Sequence, residues 1–330
     1  MATKRAVWIG AGLVGVGAAA VLLGRRRRRA ASTVLEDRDH AVATDDLVGE
    51  EVDLVSHDGG ELAVTLTGPE DGPVVVLAHC WGGSRQTWAP VSRRLLAAGC
   101  RVVRWDQRGH GRSRAGHKGH SVEGLADDLA TVLTDLDLRE VVLVGHSMGG
   151  MTVQAFATHH HQLFHERTRG VVLVATAGFG MANPATARTP DLIRSARVER
   201  LFERPGTGRL LVRATFGRGA HPHHVEVTRA DFVATPQPVR AEFAEAMQAM
   251  DLRDGVAKID VPTTILVGSR DTLTPLPLSR ALAATIPGST LEVLTGLGHM
   301  LPYEAPDEVT AATLSHVAWP AAPAGAAPTG

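Results

Sequence analysis

Gly145-His146-Ser147-Met148-Gly149 constrains this chain more than any other stretch. It follows the apolar run Val141-Val142-Leu143-Val144 and precedes Gly150 to Ala157, which has helix-forming character. A serine between a buried strand and a helix, with a glycine two residues away on each side, marks a very tight turn. Such a turn strains the serine backbone and leaves its hydroxyl exposed. The positions two before and two after must be small, and Gly145 and Gly149 meet that demand. The following helix aims its first N–H groups and its partial positive charge at the place where an oxyanion would form. Glycine and serine are common, so the string alone also fits a flexible turn. The strand before it and the helix after it favour the functional reading.

Further segments fall where chemistry at Ser147 needs them. His79-Cys80-Trp81-Gly82-Gly83 follows the buried-strand run Val74 to Ala78, and Trp105-Asp106-Gln107-Arg108-Gly109-His110-Gly111-Arg112-Ser113 follows Arg101 to Arg104. Gly268-Ser269-Arg270-Asp271 follows Thr264 to Val267, and Gly298-His299 follows Leu291 to Leu294. The chain order is therefore Ser147, Asp271, His299. On these motifs, in this order, the sequence over roughly residues 50–318 resembles the α/β-hydrolase family, in its esterase, lipase and C–C hydrolase branch.

A serine hydroxyl is a poor nucleophile at neutral pH; it needs a base in reach, and the base needs an orienting carboxylate. His299, in the Gly-rich turn GLGHMLPYEAP, is the expected base and Asp271 the expected acid. An ordinary loop histidine and a helix-capping aspartate are the alternatives, and the position of each after a strand weighs against them. The resemblance implies an oxyanion hole made by the Met148 N–H and a second N–H after His79, that of Trp81. Here the chain departs from the common His-Gly pattern, because Cys80 stands in place of the glycine. Trp81 also offers a flat apolar wall, and Trp81 and Met300 are candidate substrate contacts. The alternative acid position of some relatives falls after Ala175, where Thr176 and Ala177 offer no carboxylate. The Asp106–Ser113 segment is read as structural, with Asp106 and its arginines in hydrogen-bonded turns, and His146 as packing support for the turn.

Strands and helices alternate along most of the chain, which implies a doubly wound, mostly parallel sheet with helices on both faces. A strand pair, Glu51–Val55 and Glu61–Leu66, opens it around a turn at His57-Asp58-Gly59-Gly60. After Val171–Ala175 no comparable strand occurs until Thr264; the interval carries helical patterns at Pro190–Glu203 and Val239–Met250. The expected division is a core of residues 50–178 and 246–318, a helical cap at 179–245, a linker at 30–49 and a disordered Pro/Ala/Gly-rich tail at 319–330.

The 19 uncharged residues Ala6 to Gly24, followed by Arg25 to Arg29, read as a membrane anchor within residues 1–29. A secretory signal peptide carries its charge before the apolar region, and here the heavier charge comes after it. The arginine flank favours a cytoplasmic catalytic domain. A flexible basic leader on a soluble cytoplasmic enzyme is the alternative. Lys4, Arg5 and the five arginines hide the acidity of the rest: the whole chain carries −1, and residues 30–330 carry −8. That balance argues against nucleic-acid binding. Aromatics are only 4% of the chain, so aliphatic residues must fill the core. Cys80 and Cys100 read as free buried thiols.

Two histidine clusters, His159-His160-His161 and His221 with His223 and His224, raise metal binding as a possibility. Adjacent histidines on a helix share no face, and the second cluster lacks an acidic partner at a recognisable spacing, so no metal is expected. No phosphate loop, zinc-deaminase signature or dinucleotide motif is present, so no cofactor is expected. The expected reaction is hydrolysis of a small or medium apolar carboxylic ester through an acyl-enzyme, with water as second substrate. C–C bond hydrolysis, thioester hydrolysis and acyl transfer can use the same three residues, and a non-turnover ligand receptor is the alternative from another class.

Overall fold

The computed structural model describes residues 48–182 and 186–317. The expected anchor and the expected tail lie outside the described residues. Among the described residues no helix is long and apolar enough to cross a membrane.

One eight-stranded sheet organises the chain. Its strands are β1 (Glu50–Val55), β2 (Glu61–Thr67), β3 (Val74–Ala78), β4 (Arg101–Trp105), β5 (Val141–His146), β6 (Thr168–Val174), β7 (Thr263–Gly268) and β8 (Thr290–Leu294), in the order β1-β2-β4-β3-β5-β6-β7-β8. β2 is antiparallel to β1 and to β4, and every other neighbouring pair is parallel. β5 and β7 are buried at every position, as expected of parallel strands covered on both faces.

Alternate side chains of the central strands feed two separate apolar clusters. Val76, Val141 and Leu143 join one; Val75, Leu77, Val142 and Val144 join the other. The helices preceding the large insertion are α1 (Ala89–Ala97), α2 (Val122–Asp135), α3 (Met148–His159) and α4 (His161–Arg167). α2 and α3 bury Leu125, Leu129, Met151 and Phe156 on the first face, and α1 buries Val91 and Leu95 on the second.

Between β6 and β7 the chain makes α5 (Thr189–Arg194), α6 (Ala196–Glu203), α7 (Pro205–Arg213), α8 (Pro222–Ala234) and α9 (Gln237–Ala249). The helical pattern expected over Pro190–Glu203 is broken at Ser195, which is extended at φ −72° and ψ 119°. The bend brings Ile193 and Val198, which five residues apart would point to different sides of one continuous helix, into the same cluster. The boundary expected at residue 245 falls inside α9, whose buried Met247 continues the stripe of Val239 and Phe243 onto the main core. Phe202, Val212, Phe216, Val225 and Phe232 form a third cluster, closed from the main domain by Cys80 and Met300. The remaining helices are α10 (Arg253–Val256), α11 (Leu276–Thr285), α12 (Leu301–Glu304) and α13 (Pro306–Val317).

The carboxyl ends of β3, β5, β6, β7 and β8 share one edge of the sheet. Their following loops carry Trp81, Ser147, Thr176, Asp271 and His299. Open α/β sheets form their sites at that edge.

Candidate functional site

Ser147 sits between β5 and α3 with φ 54° and ψ −115°, a conformation that a non-glycine residue holds only when its surroundings over-determine it. The surroundings do so. A Cβ on Gly149 would overlap the carbonyl oxygen of Ala78, and one on Gly145 would overlap that of Gly149. The Ser147 N–H donates to the Val174 carbonyl at 2.9 Å, and the Thr176 hydroxyl donates to the Ser147 carbonyl at 2.6 Å. Thr176, at the position that some relatives use for the acid, thus braces the serine turn. Met148 opens α3, so its N–H is among the first four that find no acceptor within the helix.

The Asp271 carboxylate is held from four directions. Oδ1 accepts the N–H groups of Leu273 at 2.8 Å and Thr274 at 2.9 Å; Oδ2 accepts the Thr274 hydroxyl at 2.8 Å. Oδ2 also lies 2.8 Å from Nδ1 of His299. With the Nδ1 proton given to that carboxylate, the other ring nitrogen of His299 keeps its lone pair. Both side chains are buried: Asp271 is 6% and His299 3% exposed.

The His299 loop is tied to the helical insertion. The His299 N–H donates to the Thr215 carbonyl at 2.8 Å. One carboxylate, Glu304, accepts the N–H of Gly298 at 3.1 Å and that of Gly217 at 2.5 Å. Burial raises the Glu304 carboxyl above its usual range, and these N–H groups oppose that rise. His146 does more than pack: its Nε2 lies 2.8 Å from the His299 carbonyl oxygen.

Two buried histidines fix the loop after β3. His79 gives its Nδ1 proton to the Cys80 carbonyl at 2.8 Å and accepts the Gln107 N–H on Nε2 at 2.9 Å. His110 accepts the Gly82 N–H on Nε2 at 3.0 Å and gives its Nδ1 proton to the Arg108 carbonyl. Burial depresses the first to about 4 and the second to about 3, so both rings are neutral at physiological pH. Cys80 avoids left-handed backbone, so a side chain is tolerated where relatives commonly place glycine; Gly82, at φ +64° and facing Phe232, takes the left-handed position. Burial pushes the Cys80 thiol up to about 12, with Asp231 adding to it, so the thiolate is unavailable as a nucleophile at neutral pH.

Asp106 accepts the N–H groups of Arg85 and Arg112, as expected of a turn. Arg108 differs from expectation, because its guanidinium is fully buried between Asp58 and Asp128.

Two cavities meet over Ser147. The first, about 100 Å³, is lined by Met151, Met181, Met247 and Ala244, with Thr186, Thr189, Gln248, Thr272 and Thr274 at its polar margin. The second, about 60 Å³, is lined by Phe202, Val212, Phe232, Met300 and His299, with Cys80, Gly82, Thr215 and Thr228. Trp81, Ser147 and Leu273 border both. The structure therefore gathers Ser147, Asp271, His299, Trp81 and Met300 at one place. It adds Thr274, Glu304, His146 and His110, which sequence reasoning did not single out as site residues. Asp271 carried a usable signal: an aspartate at a turn commonly accepts the backbone N–H two residues on, here Leu273, which turns Thr274 back towards the carboxylate.

Among the described residues no group of three or more histidine, cysteine or acidic side chains could hold a metal ion. His224, in one of the clusters singled out in the sequence, stacks on Tyr303 with ring centroids 4.5 Å apart.

Residues 75–312 match the profile of the alpha/beta hydrolase family. The chain is 29% identical over 243 residues to a non-heme chloroperoxidase of Kitasatospora aureofaciens, covering 69% of this chain and 85% of that protein. An esterase from Exiguobacterium antarcticum superposes with a TM-score of 0.71 at 26% identity, over 82% of this chain and 99% of that one. The enol-lactonase from Burkholderia xenovorans gives a TM-score of 0.71 at 26% identity, over 81% and 99% respectively.

Proposed function

The chain belongs to the alpha/beta hydrolase family, and we propose that it hydrolyses a small or medium apolar carboxylic ester through an acyl-enzyme on Ser147. It is an enzyme of the hydrolase kind. The observation that carries the finer reading is the 2.8 Å contact between His299 Nδ1 and Asp271, with His299 and Ser147 bordering one cavity.

His299 takes the Ser147 proton as the hydroxyl oxygen attacks the ester carbonyl. The N–H groups of Met148 and Trp81 receive the oxyanion. His299 returns the proton to the leaving alcohol. Water, deprotonated by His299, then releases the acid and restores Ser147. Asp271 orients the imidazole and stabilises its charged form throughout. The helical insertion serves as a cap: with the main domain it lines two small cavities over Ser147, which favours a small or medium ester over a triglyceride. Apolar walls of methionine, phenylalanine and tryptophan favour an apolar ester.

A fluorophosphonate probe tests the nucleophile. It should label the wild-type chain at Ser147 and leave Ser147→Ala unlabelled. A chain-length series of p-nitrophenyl esters should peak at short or medium acyl groups. Labelling elsewhere, or rates that climb to long-chain emulsified lipids, would overturn this reading.

A further inference from the structure

His161 opens α4, and His165 follows one turn later on the same face of that helix. Their Nε2 atoms stand 3.1 Å apart, with ring centroids 4.3 Å apart and ring planes at 86°. The run His159-His160-His161 therefore divides. His160 turns to Asp127 on α2, its Nε2 2.8 Å from Oδ1, whereas His161 turns to a histidine outside the run.

The separation of the two nitrogens is a chelating one. Zinc binds imidazole nitrogen at about 2.0–2.1 Å. Two such bonds put the nitrogens about 2.9 Å apart at a right angle and about 3.3 Å apart at the tetrahedral angle. The observed distance falls between these limits. Asp260 adds an independent feature: its Oδ1 lies 3.0 Å from His165 Nδ1. A metal-ligating histidine commonly gives its other N–H to a carboxylate, which fixes the tautomer and makes the ligand more basic. With its Nδ1 proton given to Asp260, His165 presents a lone pair at Nε2. The support is also firm. Phe164, fully buried, packs against Phe156 of α3 with ring centroids 6.0 Å apart, while both imidazoles of the pair are exposed.

We propose that His161 and His165 hold a divalent ion of the zinc, nickel or copper kind through both Nε2 atoms. Asp260 orients His165, and water fills the remaining coordination positions. Imidazole suits these ions, whereas magnesium and calcium seek oxygen and should not bind. Without metal, the His161 Nε2–H donates to His165 Nε2. Coordination moves that proton to His161 Nδ1 by exchange with water, so two neutral imidazoles take the ion with no net loss of protons. The site lies away from Ser147. α4 leads into β6, and Asp260 lies just before β7, so the ion sits by the amino ends of these strands, opposite the edge that carries Ser147. Its effect falls on stability: through His165 it ties the approach to β7 to α4.

Titration calorimetry of the untagged full chain with Zn²⁺ or Ni²⁺ tests the site. The wild-type chain should bind an equivalent of ion that His161→Gln and His165→Gln each lose. Asp260→Asn should weaken this binding about ten- to a hundredfold. The electron paramagnetic resonance spectrum of the Cu²⁺ form should show coupling to two nitrogens, reduced in either histidine variant. Saturating Zn²⁺ should raise Tm by about 5 °C in the wild-type chain and in neither histidine variant. Both histidines are exposed, and circular dichroism checks that the variants fold. Failure of the wild-type chain to bind either ion, or binding and a Tm rise that persist in His165→Gln, would overturn the site. Unchanged affinity in Asp260→Asn would overturn the orienting role of that carboxylate.

Discussion

His146 Nε2 lies 2.8 Å from the carbonyl oxygen of His299, so the residue before the serine holds the backbone of the histidine that faces it. The two rings lie 5.0 Å apart. Burial, with the nearby His299 adding to it, holds His146 well below the ordinary histidine range, and it is therefore neutral. A neutral imidazole donating from Nε2 fixes the His299 loop without placing a second positive charge beside the one His299 would gain in the proposed reaction. His146→Leu should lower kcat about fivefold with KM nearly unchanged, because losing this bond costs roughly 1 kcal/mol of positioning. A fall in Tm without a fall in kcat would contradict it.

Ser147→Ala, Asp271→Asn and His299→Ala should each remove nearly all turnover and leave the circular dichroism spectrum unchanged. Their effects should not add, because the three residues act as a unit. A double variant of Ser147→Ala and His299→Ala should therefore be no worse than Ser147→Ala alone. Near-wild-type turnover by Ser147→Ala would reject the assignment.

Thr274→Val removes the hydroxyl that donates to the Asp271 oxygen facing His299. Hydrogen bonds to charged groups contribute about 1.5–3 kcal/mol, so kcat/KM should fall by roughly ten- to a hundredfold. Thr274→Ser keeps the hydroxyl and should recover most of the activity. Equal losses in both variants would mean that the methyl group, not the hydroxyl, matters.

Asp231, on α8, accepts the Ser84 hydroxyl at 2.8 Å across the contact between insertion and main domain. Burial raises its pKa to about 6, above the ordinary aspartate value of about 3.9. The folded state therefore binds the proton more tightly than the unfolded state does. Its contribution to stability is complete below about pH 4 and is lost as pH rises to about 6, a change of up to about 3 kcal/mol. Asp231→Asn should flatten the stability curve over that window in urea titrations at stepped pH. An unchanged slope would place the titration elsewhere.

The parts of the site legible in the sequence were those announced by neighbours along the chain. Ser147, Asp271 and His299 each close a run of apolar strand residues, and the two glycines mark the serine turn. The parts that escaped depend on distant pairings. Gly82 meets His110 across 28 positions, and Gly217 meets Glu304 across 87. No local pattern announces such bonds, because each partner also reads as an ordinary loop residue. Helix limits in the insertion were blurred at Ser195, where the pattern over Pro190–Glu203 breaks into α5 and α6 because tertiary packing needs both Ile193 and Val198 inside; the helix expected over Val239–Met250 forms as α9.

The third apolar cluster, in which insertion residues enclose Cys80 and Met300, makes the roof of the site a poor candidate for independent exchange. A roof grafted from a relative would bring side chains shaped for different partners below it. Cys80 lies beside Trp81 and Met300 beside His299, so a mismatch would strain the proposed oxyanion loop and the proposed base before any new substrate arrived. Recombination at this fold position should therefore succeed only when the two floor residues travel with the roof.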